Sequence, residues 1–193
     1  MSHRTNPPFR ADHVGSLLRP QKLLEARAEY QAGRLDENGL RAIEDESIRD
    51  VVAMQEGVGL KAITDGEFRR EIWHYDFLCG LDGIELRADS QGPAFSGGHA
   101  AESLEVTSKI ANPTGVQLDH FKFLNETTKE TAKFCVPSPN LAYHRGGRAL
   151  ISEAVYPNLT DFWADLCAAY ARELELLFEA GCRYIQLDDT TFA

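Results

Sequence analysis

Positive charge is scarce here: 20 Lys and Arg stand against 30 Asp and Glu in 193 residues, a formal net charge of −10. A nucleic-acid groove needs clustered cations, so nucleic acid is disfavoured as a partner. No stretch approaches the roughly 18 apolar residues that would span a membrane. Met1-Ser2-His3-Arg4-Thr5-Asn6-Pro7-Pro8 reaches Phe9 without the apolar core of a secretory leader, so the expected setting is cytoplasmic. Cysteine is sparse. Cys79, Cys135, Cys167 and Cys182 are isolated, with no C-x-x-C and no His at ligand spacing, so neither a disulfide framework nor a complete zinc site is legible, and all four are expected to be small buried hydrophobes. The glycine-rich phosphate signatures G-x-G-x-x-G and G-x-x-x-x-G-K-[ST] are missing after every candidate strand, which disfavours nucleotide folds.

What is present fits one globular core, with 43% hydrophobic and 26% charged residues. Phe9 to Ser16 is β-compatible, and from Pro20 onward Leu23, Leu24, Arg27 and Tyr30 keep helical spacing. Asp36 is placed to cap a second helix in which Leu40, Ile43, Ser47, Val51, Met54 and Val58 recur every three or four residues. Leu60 to Thr64 reads as a short strand ending in Asp65-Gly66-Glu67. Leu104 to Ile110 alternates with period two and reads as a third strand. A helix is expected over Phe121 to Lys129, and a fourth strand over Ala132 to Val136, stopped by Pro137 and Pro139. Thr160 is placed to cap a helix with Phe162, Leu166, Ala169, Tyr170, Leu174 and Leu177 on one side, and Tyr184 to Leu187 forms a fifth strand ending in Asp188-Asp189. The Gly- and Ser-rich stretch over 90–99 reads as a solvent-facing loop, with an active-site lid as the lesser alternative. Strands alternating with helices imply an α/β fold with a parallel sheet, either open or part of a closed barrel.

In such folds ligands bind at the carboxyl ends of the strands. That rule gathers His13-Val14-Gly15-Ser16, Asp65-Gly66-Glu67, Asn140 and Asp188-Asp189 at one face. Two carboxylates without a nucleophile triad suit a cationic group such as an ammonium, or a metal ion. Plainer readings stand beside these: Glu67 as a surface ion pair with Arg69 or Arg70, Asp188-Asp189 as a turn cap, His13 as a hydrogen-bonding residue at the core edge. His74 is expected to pack between Trp73 and Tyr75. The basic segment from Tyr143 to Arg148 suits a solvated loop or an anionic part of a substrate, and Trp163 belongs to the apolar stripe of its helix.

The ordered set His13-Val14-Gly15-Ser16, Gln55-Glu56 with Gly59-Leu60, Asp65-Gly66-Glu67-Phe68-Arg69-Arg70 and Ile185-Gln186-Leu187-Asp188-Asp189 resembles the cobalamin-independent methionine synthase family, chiefly its short single-barrel members. The resemblance runs from about Phe9 to the last residue. It implies a partial TIM (β/α)8 barrel carrying about the first five strands, with 1–193 a single domain. It also implies methyl transfer from a 5-methyltetrahydropteroyl-glutamate, or another donor, to the thiol of homocysteine held on zinc. By the same resemblance Gly15, Ser16 and Glu67 hold the amino acid and Asp188 grips its ammonium, with His13, Asn140 and Asp189 as further candidates. The family's zinc ligands, a His-x-Cys pair, a Glu and a distant Cys, lie beyond the fifth strand and match no position here. The sequence therefore reads as the N-terminal portion of a longer protein, its open edge covered by another copy or by a missing half. Leu141 stands where folate users carry an aromatic residue, which leaves another donor or another thiol alkyl transfer open. A non-catalytic binding or assembly fragment, and a different metal-dependent barrel enzyme such as a lyase, are the rival readings. Burial of Glu67 or Asp188 against a permanent arginine partner, or placement of the two on opposite sides of the molecule, would take away the footing of the methyl-transfer reading.

Overall fold

The computed structural model describes residues 5–88, 102–144 and 146–191, and the chain divides into two units. The first comprises Met1–Glu71, Asp119–Cys135 and Ala180–Gln186; the second comprises Ile72–Leu118, Val136–Glu179 and Leu187–Ala193.

In the first unit, α1 (Gln21–Gln31) follows Pro20, whose fixed φ suits a helix entry. Asp36 caps α2 (Glu37–Gly57) by accepting from the Gly39 amide at 2.8 Å. The buried face of α2 carries Ser47, Ile48, Val51, Val52 and Gln55, so the stripe is rotated from the expected one: Met54 is 49% exposed and Val58 70%. β1 (Ala62–Ile63) pairs in parallel with β4 (Thr131–Pro137), Ala62 opposite Thr131, and β5 (Tyr184–Asp188) completes the order β1-β4-β5. Central β4 is buried along nearly its whole length, as a parallel strand covered on both faces requires. Phe121 of α4 (Leu118–Thr127) meets Phe134 edge-on at 5.8 Å, while the guanidinium groups of Arg69 and Arg49 lie 4.7 and 5.1 Å from the centre of the Phe123 ring.

One expected strand is not there: residues 9–16 are bends and irregular chain. The Asp12 side chain accepts from the His13 amide at 2.9 Å and Gly15 sits at φ 121°, so local bonds and a left-handed residue displace a ladder.

In the second unit, α3 (Tyr75–Leu78) precedes an antiparallel pair, β2 (Asp82–Ala88) with β3 (Glu102–Ala111). The third expected strand thus belongs to an antiparallel pair, not to the parallel sheet, and β2 is an addition that the sequence reading missed. After α5 (Leu141–His144) and a 3-10 turn at Gly147–Leu150, α6 (Leu159–Glu179) buries Phe162, Leu166, Ala169, Tyr170, Glu173 and Leu177. Its cap is Asn158, which accepts from the Asp161 amide at 3.0 Å and donates to the Asp161 carboxylate at 2.8 Å; Thr160 does not have that role. Cys135 and Cys182 are buried as expected, Cys79 is half-buried, and Cys167 is exposed because it follows Leu166 onto the outer side of α6. His74 is buried between the rings of Trp73 (4.8 Å) and Tyr75 (4.2 Å). Trp163 is half-buried against Tyr143 at 5.5 Å. In the basic segment, Arg148 donates to the Tyr156 carbonyl at 2.7 Å and lies 3.7 Å from Glu153. The expected loop over 90–99 lies outside the described residues. Among the described residues no helix is long and apolar enough to cross a membrane.

His120, half-buried in the first unit, has its pKa lowered to about 4 by burial, with Arg69, Arg41 and Arg70 acting in the same direction and Asp65 against them. The folded chain therefore holds this ring neutral while the unfolded chain protonates it near 6.5. Between pH 6.5 and about 4 the unfolded state binds more protons, so stability falls on acidification through this window. Urea unfolding of His120→Gln against the native chain should show a flatter dependence over that range; an identical slope would contradict a neutral buried ring.

Candidate functional site

The first unit builds its site on the turn after β1. Gly66 (φ 67°) and Glu67 (φ 60°) are both left-handed, a conformation a glutamate keeps only when its surroundings enforce it. Here they do. The Asp65 carboxylate accepts from the Glu67 amide at 2.9 Å, and Arg19 donates to the Glu67 carbonyl at 2.9 Å and to the Arg70 carbonyl at 3.0 Å. Arg27 donates to the Phe68 and Arg70 carbonyls, each at 2.6 Å, and the Leu17 amide donates to the Gly66 carbonyl at 3.1 Å. Glu67 is 4% exposed, so the ion pair expected with Arg69 or Arg70 is not at the surface; it forms with Arg70, and it is buried.

Arg70, 1% exposed, places Nη1 3.6 Å from Glu67 Oε1 while its Nη2 donates to the Cys135 carbonyl. At 3.6 Å this ion pair is looser than a charge-assisted hydrogen bond of about 2.7–2.9 Å. It still reduces the pull that Glu67 by itself exerts on a cation.

Gly15 is buried against this turn. A Cβ added to it would lie 2.4 Å from Cys135 Sγ and 3.8 Å from Glu67 Oε1, so only glycine permits the approach. Thr64 donates its hydroxyl to the Gly15 carbonyl at 2.7 Å, and Ser16 next to it is exposed. His13 has both ring nitrogens engaged: Nδ1 accepts from the Gly15 amide at 3.2 Å and Nε2 faces Gln55 Oε1 at 3.0 Å. Gln55 spends its amide nitrogen on the carbonyls of Val51 (3.1 Å) and Thr64 (2.8 Å), so its oxygen accepts and the His13 proton resides on Nε2. His13 thus shapes the turn, in line with its plainer reading.

In the second unit, the ends of β4 and β5 are joined by the Ser138 amide donating to the Asp188 carbonyl at 2.7 Å. Asp189 accepts from the Thr191 hydroxyl (2.5 Å), the Thr191 amide (2.7 Å), Ser138 Oγ (2.8 Å) and Asn140 Nδ2 (3.0 Å). The Thr191 bonds above all hold its carboxyl below the usual range, with Ser138 and Asn140 adding to them. Asn140 and Asp189 are therefore brought together as a turn brace. Asp188 stands one residue earlier, half-buried at the end of β5. Gly15, Ser16 and Glu67 belong to the first unit and Asp188 to the second.

Sequence reasoning named Arg70 only as an ion-pair partner for Glu67 and Gln55 only within a motif, and it passed over Lys133. Lys133 left a legible signal, a charge in the middle of an otherwise apolar strand, which burial permits only with partners at hand. Among the described residues no three His, Cys, Asp or Glu side chains come together to hold a metal ion, so they do not fit a zinc centre.

Residues 9–193 match the family model described as the catalytic domain of cobalamin-independent synthase. The chain belongs to that family. It is 41% identical to the uncharacterised protein YxjH of Bacillus subtilis over 188 residues, 96% of this chain and 49% of that protein. A methionine synthase of Sulfurisphaera tokodaii is 28% identical over 181 residues, 91% of this chain and 50% of that enzyme. The crystal structure of a putative vitamin-B12-independent methionine synthase from Listeria monocytogenes superposes with a TM-score of 0.79 at 38% identity, over 96% of this chain and 53% of that one. The chain thus spans about half the length of these synthase-family relatives, and its α/β fold with a parallel sheet is part of a barrel of their kind.

Proposed function

We propose that this chain supplies the amino-acid-binding half of an S-methyltransferase that passes a methyl group from a 5-methyltetrahydropteroyl-glutamate, or another donor, to the thiol of homocysteine. The observation that carries the reading is Glu67, buried and held left-handed beside Gly15 within the sequence pattern of a methionine synthase family. A carboxylate fixed in advance against a glycine backbone suits an α-amino acid: the ammonium meets the acid while the exposed Ser16 hydroxyl is open to the substrate's carboxylate. Asp188 is proposed as an ammonium-binding acid on the family resemblance. Placement of the amino-acid end leaves the thiol as the freely presented nucleophile. The donors of the described residues do not fit zinc, so no step of this reading runs through a metal. A cytoplasmic setting belongs to the same reading. So does cover of the edge beyond β5 by polypeptide matching the other half of the relatives; a dimer in light scattering would instead assign that edge to a second copy.

The test is calorimetric titration of homocysteine into the native chain, Glu67→Gln and Asp188→Asn. Loss of one hydrogen bond between charged groups should weaken binding about 10- to 100-fold. The Arg70 guanidinium already offsets part of the Glu67 charge, so Glu67→Gln should have the smaller effect. Equal affinity in all three removes the ammonium contact, and a thiol-independent, magnesium-dependent turnover would favour the lyase.

A further inference from the structure

We propose that Lys133 is the positioning residue for the Gly15-Ser16 turn; its ligand rests on the amino-acid reading above, its geometry does not. Lys133 lies in the middle of β4, 1% exposed, between Ala132 and Phe134. Burying an ammonium group costs several kcal/mol unless its protons find acceptors. The acceptors come from one short segment: Asp12 Oδ1 at 3.0 Å and the His13 carbonyl. The Tyr184 ring lies 5.4 Å from the same nitrogen, and the Tyr184 hydroxyl donates to the other Asp12 oxygen.

Two residues further along both strands the pattern repeats. Cys135 Sγ donates to the Val14 carbonyl at 3.1 Å, and Gln186 Nε2 donates to the same oxygen at 2.8 Å. Residues i and i+2 share a face of a strand, so Lys133 with Cys135 and Tyr184 with Gln186 form a patch on adjacent strands, directed at Asp12, His13 and Val14.

That segment forms no strand of its own. Its place is set by side chains, and it leads directly into Gly15 and Ser16. A role confined to filling the sheet would be better served by methionine or leucine, which need no partner in the core. The charge is what a filler does not need and an anchor does.

The experiment compares the 193-residue chain with Asp12→Asn, Lys133→Met and the double variant, reading amide hydrogen exchange over residues 13–17 and homocysteine affinity by calorimetry. Each single variant should speed exchange at these amides at least about tenfold while leaving α2 protected, the double variant should be no worse than the worse single one, and affinity should fall by a similar factor. Unchanged exchange in Asp12→Asn overturns the proposal. Faster exchange with undiminished homocysteine affinity overturns it too. Should Lys133→Met fail to fold, Asp12→Asn, altered at a partly exposed side chain, decides alone. A native chain with no affinity for homocysteine overturns the amino-acid reading, while the exchange data still decide whether Lys133 orders the turn.

Discussion

Gly15→Ala is expected to destabilise the first unit by about 2–5 kcal/mol and to abolish homocysteine binding, the sum of a strained backbone and an overpacked contact. Two independent effects coincide at this position. The backbone φ of 121° is open to glycine and strained for any residue with a Cβ. The added methyl would also fall 2.4 Å from Cys135 Sγ, and that sulfur is buried and tied to the Val14 carbonyl at 3.1 Å, with one short side-chain torsion through which to retreat. The two effects separate experimentally. Adding Cys135→Ala to Gly15→Ala removes the steric part and should restore about 1–2 kcal/mol in urea unfolding, leaving the backbone part behind. Native stability in Gly15→Ala alone would mean that the turn does not pack against β4 as described.

In the second unit the largest single effect is expected at Glu173. This α6 carboxylate is 1% exposed and accepts from the Val116 amide at 2.7 Å, the Gln117 amide at 3.0 Å and Asn112 Nδ2 at 2.8 Å. It ties the loop after β3 to the middle of α6. Glu173→Ala removes the acceptor for three donors at once, two of them buried, a loss of about 3–5 kcal/mol. Glu173→Gln keeps the shape but turns an NH2 group toward at least one of those donors, so it should lose about 1–3 kcal/mol. Chemical denaturation with intrinsic fluorescence reads both. A Gln variant as stable as the native chain would show that the bonds contribute no net stability.

The expected third strand is present but antiparallel, and the expected first strand is absent, each for its own physical reason. Leu104-Glu105-Val106-Thr107 alternates because β3 is antiparallel with one wet face, whereas Ala132 to Val136 is buried throughout because β4 is parallel and covered twice. The period-two pattern was therefore the mark of a strand outside the parallel sheet. Residues 9–16 failed differently. Their composition suits a strand, but a short polar side chain bonding its own backbone at Asp12 and a left-handed Gly15 gave the segment local alternatives, and side chains from β4 and β5 fixed which was taken. The candidate residues divided in the same way. Glu67, Gly15 and Ser16 stand out as candidates in their motifs, while the sequence could not tell that Asp189 and Asn140 brace each other or that His13 is committed on both ring nitrogens.

By itself the sequence determined the family, the long helices with the Asp36 cap, the buried fourth strand and the acidic residues at strand ends, because each of these is written in neighbouring residues or a contiguous motif. Tertiary structure alone decided that Glu67 would be left-handed and buried together with Arg70, and that Lys133 would reach Asp12 across 121 positions of chain. Such pairings depend on which distant groups share a buried volume, and desolvation there makes the choice of partner a property of the fold and not of any local pattern.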